Sequence, residues 1–239
     1  MEQALSFFAS AVAGYFFLPV FISKKSLHLF LWHATLTEAT WRDRLLKPIT
    51  ARLGFFSPNA VSIAGFFLVS LLAYLFWSGA SVWAVFFAAL FAGFSDMLDG
   101  SLARNSGRIT SLGVVLDVAR DVLLALTPSY FLIEKGFLRY DLFLWFFTGW
   151  IFLGGIRFLE LKITGSSPFS PKEDYKSALD RARITLYILA ILALILVPEY
   201  GVLQRPAEIL IIISIIFSGV SILLHSAHLR ILREEKMGV

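Results

Sequence analysis

The feature that most constrains this chain is a series of seven long apolar runs. They cover about residues 4–22, 59–77, 80–98, 111–133, 142–161, 184–198 and 207–229. A helix needs about 20 apolar residues to cross the hydrocarbon core of a bilayer. Membrane-spanning β-strands would instead appear as alternating segments of about ten residues. The runs therefore predict an all-α fold, a polytopic membrane helix bundle.

Composition excludes several other classes of protein. Of the 239 residues, 58% are hydrophobic and 16% are charged, whereas soluble domains average about 45–50% and about 25%. The chain has no cysteine, which excludes a disulfide scaffold and thiolate metal sites. The net charge of +4 is typical of membrane topology and of affinity for anionic lipid, and we expect no nucleic-acid partner.

The basic residues predict the topology. Seventeen of the 21 Lys and Arg residues fall in the two termini and in alternate loops, three fall in the remaining loops, and Arg120 lies inside an apolar run. Because loops rich in Lys and Arg stay in the cytoplasm, we expect six core spans from residue 59 onward, with both ends cytoplasmic.

Two segments precede these core spans. Residues 1–34 form an extra hydrophobic segment, in which Lys24 and Lys25 follow the apolar run, the reverse of a secretory signal. An additional span and a helix lying in the membrane interface both remain possible for it. Residues 35–53, the start of a membrane domain covering 35–239, read as a juxtamembrane surface helix. We expect Leu45 and Leu46 to face lipid and Pro48 to end the helix.

Acidic residues interrupt two of the core runs at helical spacing. Asp96 and Asp99 are three residues apart, while Gly113, Asp117 and Asp121 are each four apart. Both sets therefore form stripes on single helix faces. The connection between the runs is short, so the helices are antiparallel neighbours whose acidic stripes face each other. Arg120 is expected to be a charge partner for these acids.

Carboxylates that converge near a bilayer need protons or cations as partners. Protonation would suit a cation- or proton-coupled carrier. Bound Mg²⁺ or Mn²⁺, which prefer oxygen ligands, would suit metal-assisted phosphoryl transfer. A carrier is expected to place its acids near mid-membrane, whereas these lie at the cytoplasmic ends of two spans, which favours transfer.

The full pattern resembles the signature of the CDP-alcohol phosphatidyltransferase family. It reads Asp96-x2-Asp99-Gly100-x2-Ala103-Arg104-x8-Gly113-x3-Asp117-x3-Asp121 and agrees at every defined position. The resemblance implies an integral-membrane enzyme that displaces CMP from CDP-diacylglycerol or another CDP-alcohol by transfer to a small alcohol or sugar-phosphate acceptor. It also implies a homodimer.

The same resemblance implies roles for individual residues. Two Mg²⁺ ions would be held by Asp96, Asp99, Asp117 and Asp121, and Asp121 would also be the general base. The positions implied at the CDP moiety are Asn59, Ser62, Gly100, Ala103, Arg104 and Thr110. Ser62 stands where the family usually has Thr.

Three further basic residues suggest where the acceptor binds. Arg157, Arg181 and Arg183 lie on the same cytoplasmic side as the aspartates. They suit an acceptor that carries a phosphate, such as glycerol 3-phosphate or inositol phosphate, although ordinary topological charge is the alternative. The Arg-x-Arg spacing resembles the Lys-x-Lys of phosphatidylglycerophosphate synthases, but Val122 stands where those enzymes commonly have Lys. The four histidines, His28, His33, His225 and His228, have no evident metal partners and are expected at the membrane interface.

Overall fold

The computed structural model describes residues 2–22, 43–52, 57–106, 110–165 and 178–237, and its fold is all-α, as predicted. A helical stretch at 43–52 is called α3 here. The other α-helices are α1 (Glu2–Phe16), α2 (Leu18–Phe21), α4 (Pro58–Trp77), α5 (Val82–Ser106), α6 (Ser111–Glu134), α7 (Tyr140–Thr164), α8 (Ala178–Leu196) and α9 (Gln204–Met237), and a 3-10 turn at Gly201–Leu203 precedes α9.

Five segments of the described chain are long and apolar enough to cross a membrane. They are Glu2–Phe21, Asn59–Trp77, Val82–Ala103, Tyr140–Thr164 and Gly201–Met237. The helices α6 and α8 have 24 and 19 residues, which is about 36 Å and about 28 Å at 1.5 Å per residue. The first three turns of α6 include Asp117, Arg120 and Asp121, and the first two turns of α8 include Asp180, Arg181 and Arg183, which lowers their mean hydropathy. The count of six core spans stays a prediction.

The helices pack into one bundle. Helix α4 lies against α5 and α6, while α9 lies against α7 and α8, and α8 joins the two groups through its contacts with α5 and α6. Three of these helices, α4, α6 and α8, begin at the same end of the bundle, which we call the polar end.

The apolar core fills the half of the bundle away from the polar end. Its buried members include Leu72, Phe76, Val85, Ala88, Leu132, Leu142, Phe146, Leu194, Ala207 and Ile211. The ring of Phe146 stacks on Tyr187 with 3.7 Å between centroids. The hydroxyl of Tyr187 is 2.6 Å from Ser129 Oγ, so the one polar atom of this buried ring is paired.

The N-terminal segment is docked on the bundle through α9. A Cβ atom on Gly14 would lie 2.1 Å from the carbonyl oxygen of Leu223, so only glycine allows this close approach of the two helices. Arg230 donates hydrogen bonds to the carbonyl oxygens of Tyr15 and Phe16 at the end of α1, at 3.4 Å and 2.9 Å. This packing favours an extra span over a helix lying in the interface.

Two expectations for the surface helix were wrong. Pro48 lies inside α3, and Leu46 is buried in the protein rather than turned to lipid, whereas Leu45 is exposed. The helix continues past the proline because it is anchored on both sides of it. Before Pro48, Asp43 accepts a hydrogen bond from Ser101 Oγ, and after it Thr50 Oγ1 accepts one from Asn105 Nδ2. Residues 35–42, with Trp41, and residue 53 of the predicted helix lie outside the described residues.

Candidate active site

Three aspartates from two helices meet at the polar end. Asp96 and Asp99 come from α5 and Asp117 comes from α6, and one carboxylate oxygen from each lies within 4.8 Å of the others. The side chains of Asp96 and Asp117 are 30% and 34% exposed, whereas that of Asp99 is 3% exposed. The two acidic stripes face each other, as predicted, and two partly exposed carboxylates lie beside one that is buried.

Arg120 forms ion pairs with all three of these aspartates, as expected of a charge partner. Its Nη1 and Nη2 form short ion pairs with Asp99 and Asp96 respectively. Nη2 also lies 3.2 Å from the second oxygen of Asp99 and 3.3 Å from Asp117 Oδ1. The guanidinium is fully buried, so these contacts are made with little competition from water.

Asp121 lies one helical turn beyond Asp117 on α6 and is partly buried. It is not one of the three carboxylates that converge within 4.8 Å in the described part of the chain. Its position is next to the cluster along the helix.

The beginnings of α4 and α6 are joined beside the aspartates. Thr110 caps α6 by accepting a hydrogen bond from the Gly113 amide at 3.0 Å, and its hydroxyl lies 3.1 Å from Asn59 Oδ1, to which it donates. Ser62, one turn further along α4, donates to Asp99 Oδ2 at 2.6 Å. Ser57, not Asn59, caps α4, so Asn59 and Ser62 turn toward α6 and α5 instead.

Gly100, Ala103 and Arg104 all lie on α5 after the aspartates. Gly100 and Ala103 are partly buried. The side chain of Arg104 lies outside the described residues.

The three acceptor-side arginines have different surroundings. Arg157 on α7 donates to Asp180 Oδ2 at 3.1 Å and is 21% exposed. Arg181 is partly buried at the start of α8. Arg183 is only 2% exposed, and its Nε and Nη1 have no hydrogen-bond partner in the described structure. Since a buried guanidinium normally has its donors satisfied, Arg183 is the member of this set with unused binding capacity.

The expectation that His225 and His228 lie at the membrane interface was wrong. Both are buried, and His225 bridges two acids: Nδ1 lies 3.1 Å from Glu160 of α7 and Nε2 lies 3.2 Å from Asp180 of α8. His228 Nδ1 lies 2.9 Å from Glu160. Ionisable residues inside apolar helices pair with one another because isolated charges there are costly. The two other histidines, His28 and His33, lie outside the described residues.

These residues form a second polar cluster, which sequence reasoning missed. Asp180 accepts hydrogen bonds from Arg157 and Ser221 besides its contact with His225, so the cluster joins α7, α8 and α9. The available signal was the presence of Glu160 and His225 within apolar runs. Their partners are on other helices, which no local spacing reveals.

Residues 55–220 match the sequence model of the family described as CDP-alcohol phosphatidyltransferase. The match covers more than half of the chain and includes the aspartate cluster with Arg120. Of the second polar cluster it includes Arg157, Glu160 and Asp180, whereas Ser221, His225 and His228 lie beyond it. The chain belongs to the CDP-alcohol phosphatidyltransferase family. A search of curated proteins returns no significant match. As a member of this family, the protein is an integral-membrane enzyme that transfers a substituted phosphate group from a CDP-alcohol to an acceptor alcohol. This decides between the carrier and the transferase in favour of the transferase.

The aspartates of this phosphatidyltransferase fit a divalent cation. Three carboxylate oxygens from Asp96, Asp99 and Asp117 lie close enough to share one ion, and oxygen ligands suit hard cations. The family uses divalent metals. Arg120 contacts both oxygens of Asp99 and one oxygen each of Asp96 and Asp117, so an ion shared by all three carboxylates takes at least one oxygen that the guanidinium now contacts.

Proposed function

We propose that this phosphatidyltransferase moves the phosphatidyl group of CDP-diacylglycerol to an alcohol that itself carries a phosphate, and releases CMP. Glycerol 3-phosphate and inositol phosphate are the acceptors we expect. The observation that carries the proposal is the buried guanidinium of Arg183, whose Nε and Nη1 have no hydrogen-bond partner in the described structure.

The reaction needs a general base and positively charged groups that bind the diphosphate. Asp121 takes the proton of the acceptor hydroxyl, whose oxygen attacks the β-phosphorus of CDP-diacylglycerol. A new oxygen–phosphorus bond forms as the bond from that phosphorus to the bridging oxygen breaks, and CMP leaves with the electron pair. Two Mg²⁺ ions, or Mn²⁺, held by Asp96, Asp99, Asp117 and Asp121 would neutralise the diphosphate when bound.

The CDP moiety is proposed to bind where α4, α5 and α6 meet. Thr110 donates a hydrogen bond to Asn59 at this point, and Ser62 donates one to Asp99. Gly100 has no side chain and Ala103 has only a methyl group, which lets a flat nucleotide approach the backbone of α5 just after the aspartates. We assign Arg104 to the phosphates of the nucleotide.

The acceptor phosphate is proposed to bind Arg183, with Arg157 and Arg181 nearby on α7 and α8. Arg157 is already paired with Asp180, so its charge is partly neutralised. Arg183 is one turn beyond Asp180 on the same helix, and an anionic ligand would supply the partners that two of its nitrogens lack. The distribution of basic residues supports a site that opens to the cytoplasm.

The test is a panel of acceptors with the purified enzyme. The protein in detergent receives CDP-diacylglycerol, Mg²⁺ and either glycerol 3-phosphate, inositol phosphate, serine or phosphatidylglycerol, and CMP release is measured. We expect CMP only with a phosphate-bearing small alcohol. Asp121→Asn is expected to abolish CMP release while the thermal unfolding temperature stays close to that of the wild type.

Arg183→Gln tests the acceptor site. Because the hydrogen bonds of a charged group contribute about 1.5–3 kcal/mol, we expect the KM for the acceptor to rise roughly tenfold to a hundredfold. The KM for CDP-diacylglycerol should change little. Arg139→Gln, at the other end of α7 where the side chain is exposed, is the matched control and should behave as wild type. Preference for serine, or equal changes in both KM values, would contradict the acceptor assignment.

A further inference from the structure

Arg120 places a positive charge directly against the aspartates that are able to hold a divalent cation. Its guanidinium contacts Asp96, Asp99 and Asp117, which are also the three residues able to share a divalent ion. Arg120 is 0% exposed, whereas Asp96 and Asp117 are about one-third exposed. The guanidinium therefore approaches the carboxylates from within the protein, and the opposite side of the cluster remains open.

The position of Arg120 is shaped by α4. A Cβ atom at Gly65 would lie 2.8 Å from both Cδ and Nη1 of Arg120 and 3.2 Å from Ser95 Oγ. The absence of a side chain at Gly65 thus leaves room for the guanidinium between α4 and α6. Ser62 donates to Asp99 Oδ2, the same oxygen that Arg120 Nη1 contacts, so Asp99 is held from two sides.

We infer that Arg120 is a resident counter-cation that competes with a divalent ion for Asp96, Asp99 and Asp117. The inference rests on the metal site of the proposed function. Three converging carboxylates repel one another, and the guanidinium relieves this repulsion when no ion is bound. A divalent ion would repel the guanidinium at such close range and would need oxygens that the guanidinium now contacts. Ion binding therefore includes the cost of moving Arg120.

The diphosphate of the CDP substrate offers Arg120 a replacement partner. Guanidinium groups bind phosphate oxygens as well as carboxylates, so a guanidinium displaced by an ion can pair with the incoming substrate. Ion uptake by the free enzyme is then weak and becomes stronger when the CDP substrate is present. Without Arg120 this dependence on substrate is smaller.

Mn²⁺ binding to the full-length protein in detergent tests the competition directly. Free Mn²⁺ is measured by electron paramagnetic resonance during a titration without substrate, for the wild type, Arg120→Met and Arg120→Lys. We expect Arg120→Met to bind Mn²⁺ roughly tenfold more tightly or better, because a nearby positive charge is removed from a partly buried site. Arg120→Lys keeps the charge but loses the planar fork, and a smaller increase is expected.

Two controls connect the measurement to this site. Arg139→Met also removes an arginine that is paired with an aspartate, Asp141, and it should leave Mn²⁺ affinity unchanged. Asp99→Asn should abolish the tight binding in both the wild-type and the Arg120→Met backgrounds, which shows that the ion is bound at the cluster.

Unchanged or weaker Mn²⁺ binding by Arg120→Met would overturn the inference. If that variant does not fold, the same outcome for Arg120→Lys overturns it. Failure of the proposed function looks different: the affinity shift would be present while wild-type enzyme releases no CMP with any phosphate-bearing acceptor. Conversely, CMP release by the wild type without a shift in Mn²⁺ affinity would contradict the inferred competition while supporting the proposed transferase activity.

Discussion

Replacement of His225 by leucine removes one of the side chains that join α7, α8 and α9 at the polar end. Leucine fills a similar space but has no hydrogen-bond donor. Glu160 then keeps only its contact with His228 among those described above, while Asp180 keeps Arg157 and Ser221. Each of two buried carboxylates therefore loses one partner.

The cost follows from those two losses. A hydrogen bond to a charged group contributes about 1.5–3 kcal/mol, and breaking a buried charge pair costs about 3–5 kcal/mol. We expect His225→Leu to lower the free energy of unfolding by about 3–5 kcal/mol. Unfolding titrated with SDS in mixed micelles measures this value. Arg139→Leu, which removes an ion pair whose two side chains are 59% and 52% exposed, should cost under about 1 kcal/mol.

A double-mutant cycle separates the polar contact from general packing. Glu160→Gln and His225→Leu are measured singly and together, and we expect a coupling energy of about 1–3 kcal/mol, within the range for residues in one network. Additive effects would show that His225 and Glu160 do not stabilise each other. A loss below about 1 kcal/mol for His225→Leu would refute the assignment of a buried charge network.

Two other substitutions test close contacts described above. Gly14→Leu should lower the unfolding free energy by about 1–3 kcal/mol, because overpacking against a backbone carbonyl cannot be relieved by a rotamer change. Gly93→Leu, where a Cβ atom meets nothing within 4 Å, is its control, and equal losses in SDS titrations would contradict the docking of α1 on α9. Ser62→Ala removes the donor to Asp99 and should slow CMP release about tenfold. Ser62→Thr, which keeps the hydroxyl, should restore the rate in the same assay, and a threonine variant as slow as the alanine one would count against this role.

Sequence patterns predicted the aspartate cluster because its geometry is local. Residues three or four apart share a helix face, and a short connection brings two such faces together. Arg120, which lies inside the same apolar run as Asp117, was also predicted as a charge partner for the acids. The sequence also indicated the apolar helices and their order, because membrane spans need long runs of a single residue class.

The features that sequence reasoning missed depend on contacts between distant helices. His225 and Glu160 are 65 residues apart, and nothing in either local sequence selects the other as a partner. The continuation of α3 through Pro48 depends on hydrogen bonds to α5 about 55–58 residues away, which outweigh a local breaker. In both cases tertiary contacts determine the outcome and local preference does not.

The division of the bundle into an apolar half and a polar half has a mechanical consequence. Close-packed apolar side chains have few alternative arrangements, so we expect the helices to keep their relative positions in the half that contains Phe146 and Tyr187. At the other end the helices are joined by charged groups that an incoming anion or cation can rearrange. Arg183 is buried there, so the acceptor phosphate that we propose for it would reach it only if the ends of the helices around it separate. We therefore expect the helix movement that admits the substrate to be largest at the polar end and smallest in the apolar half.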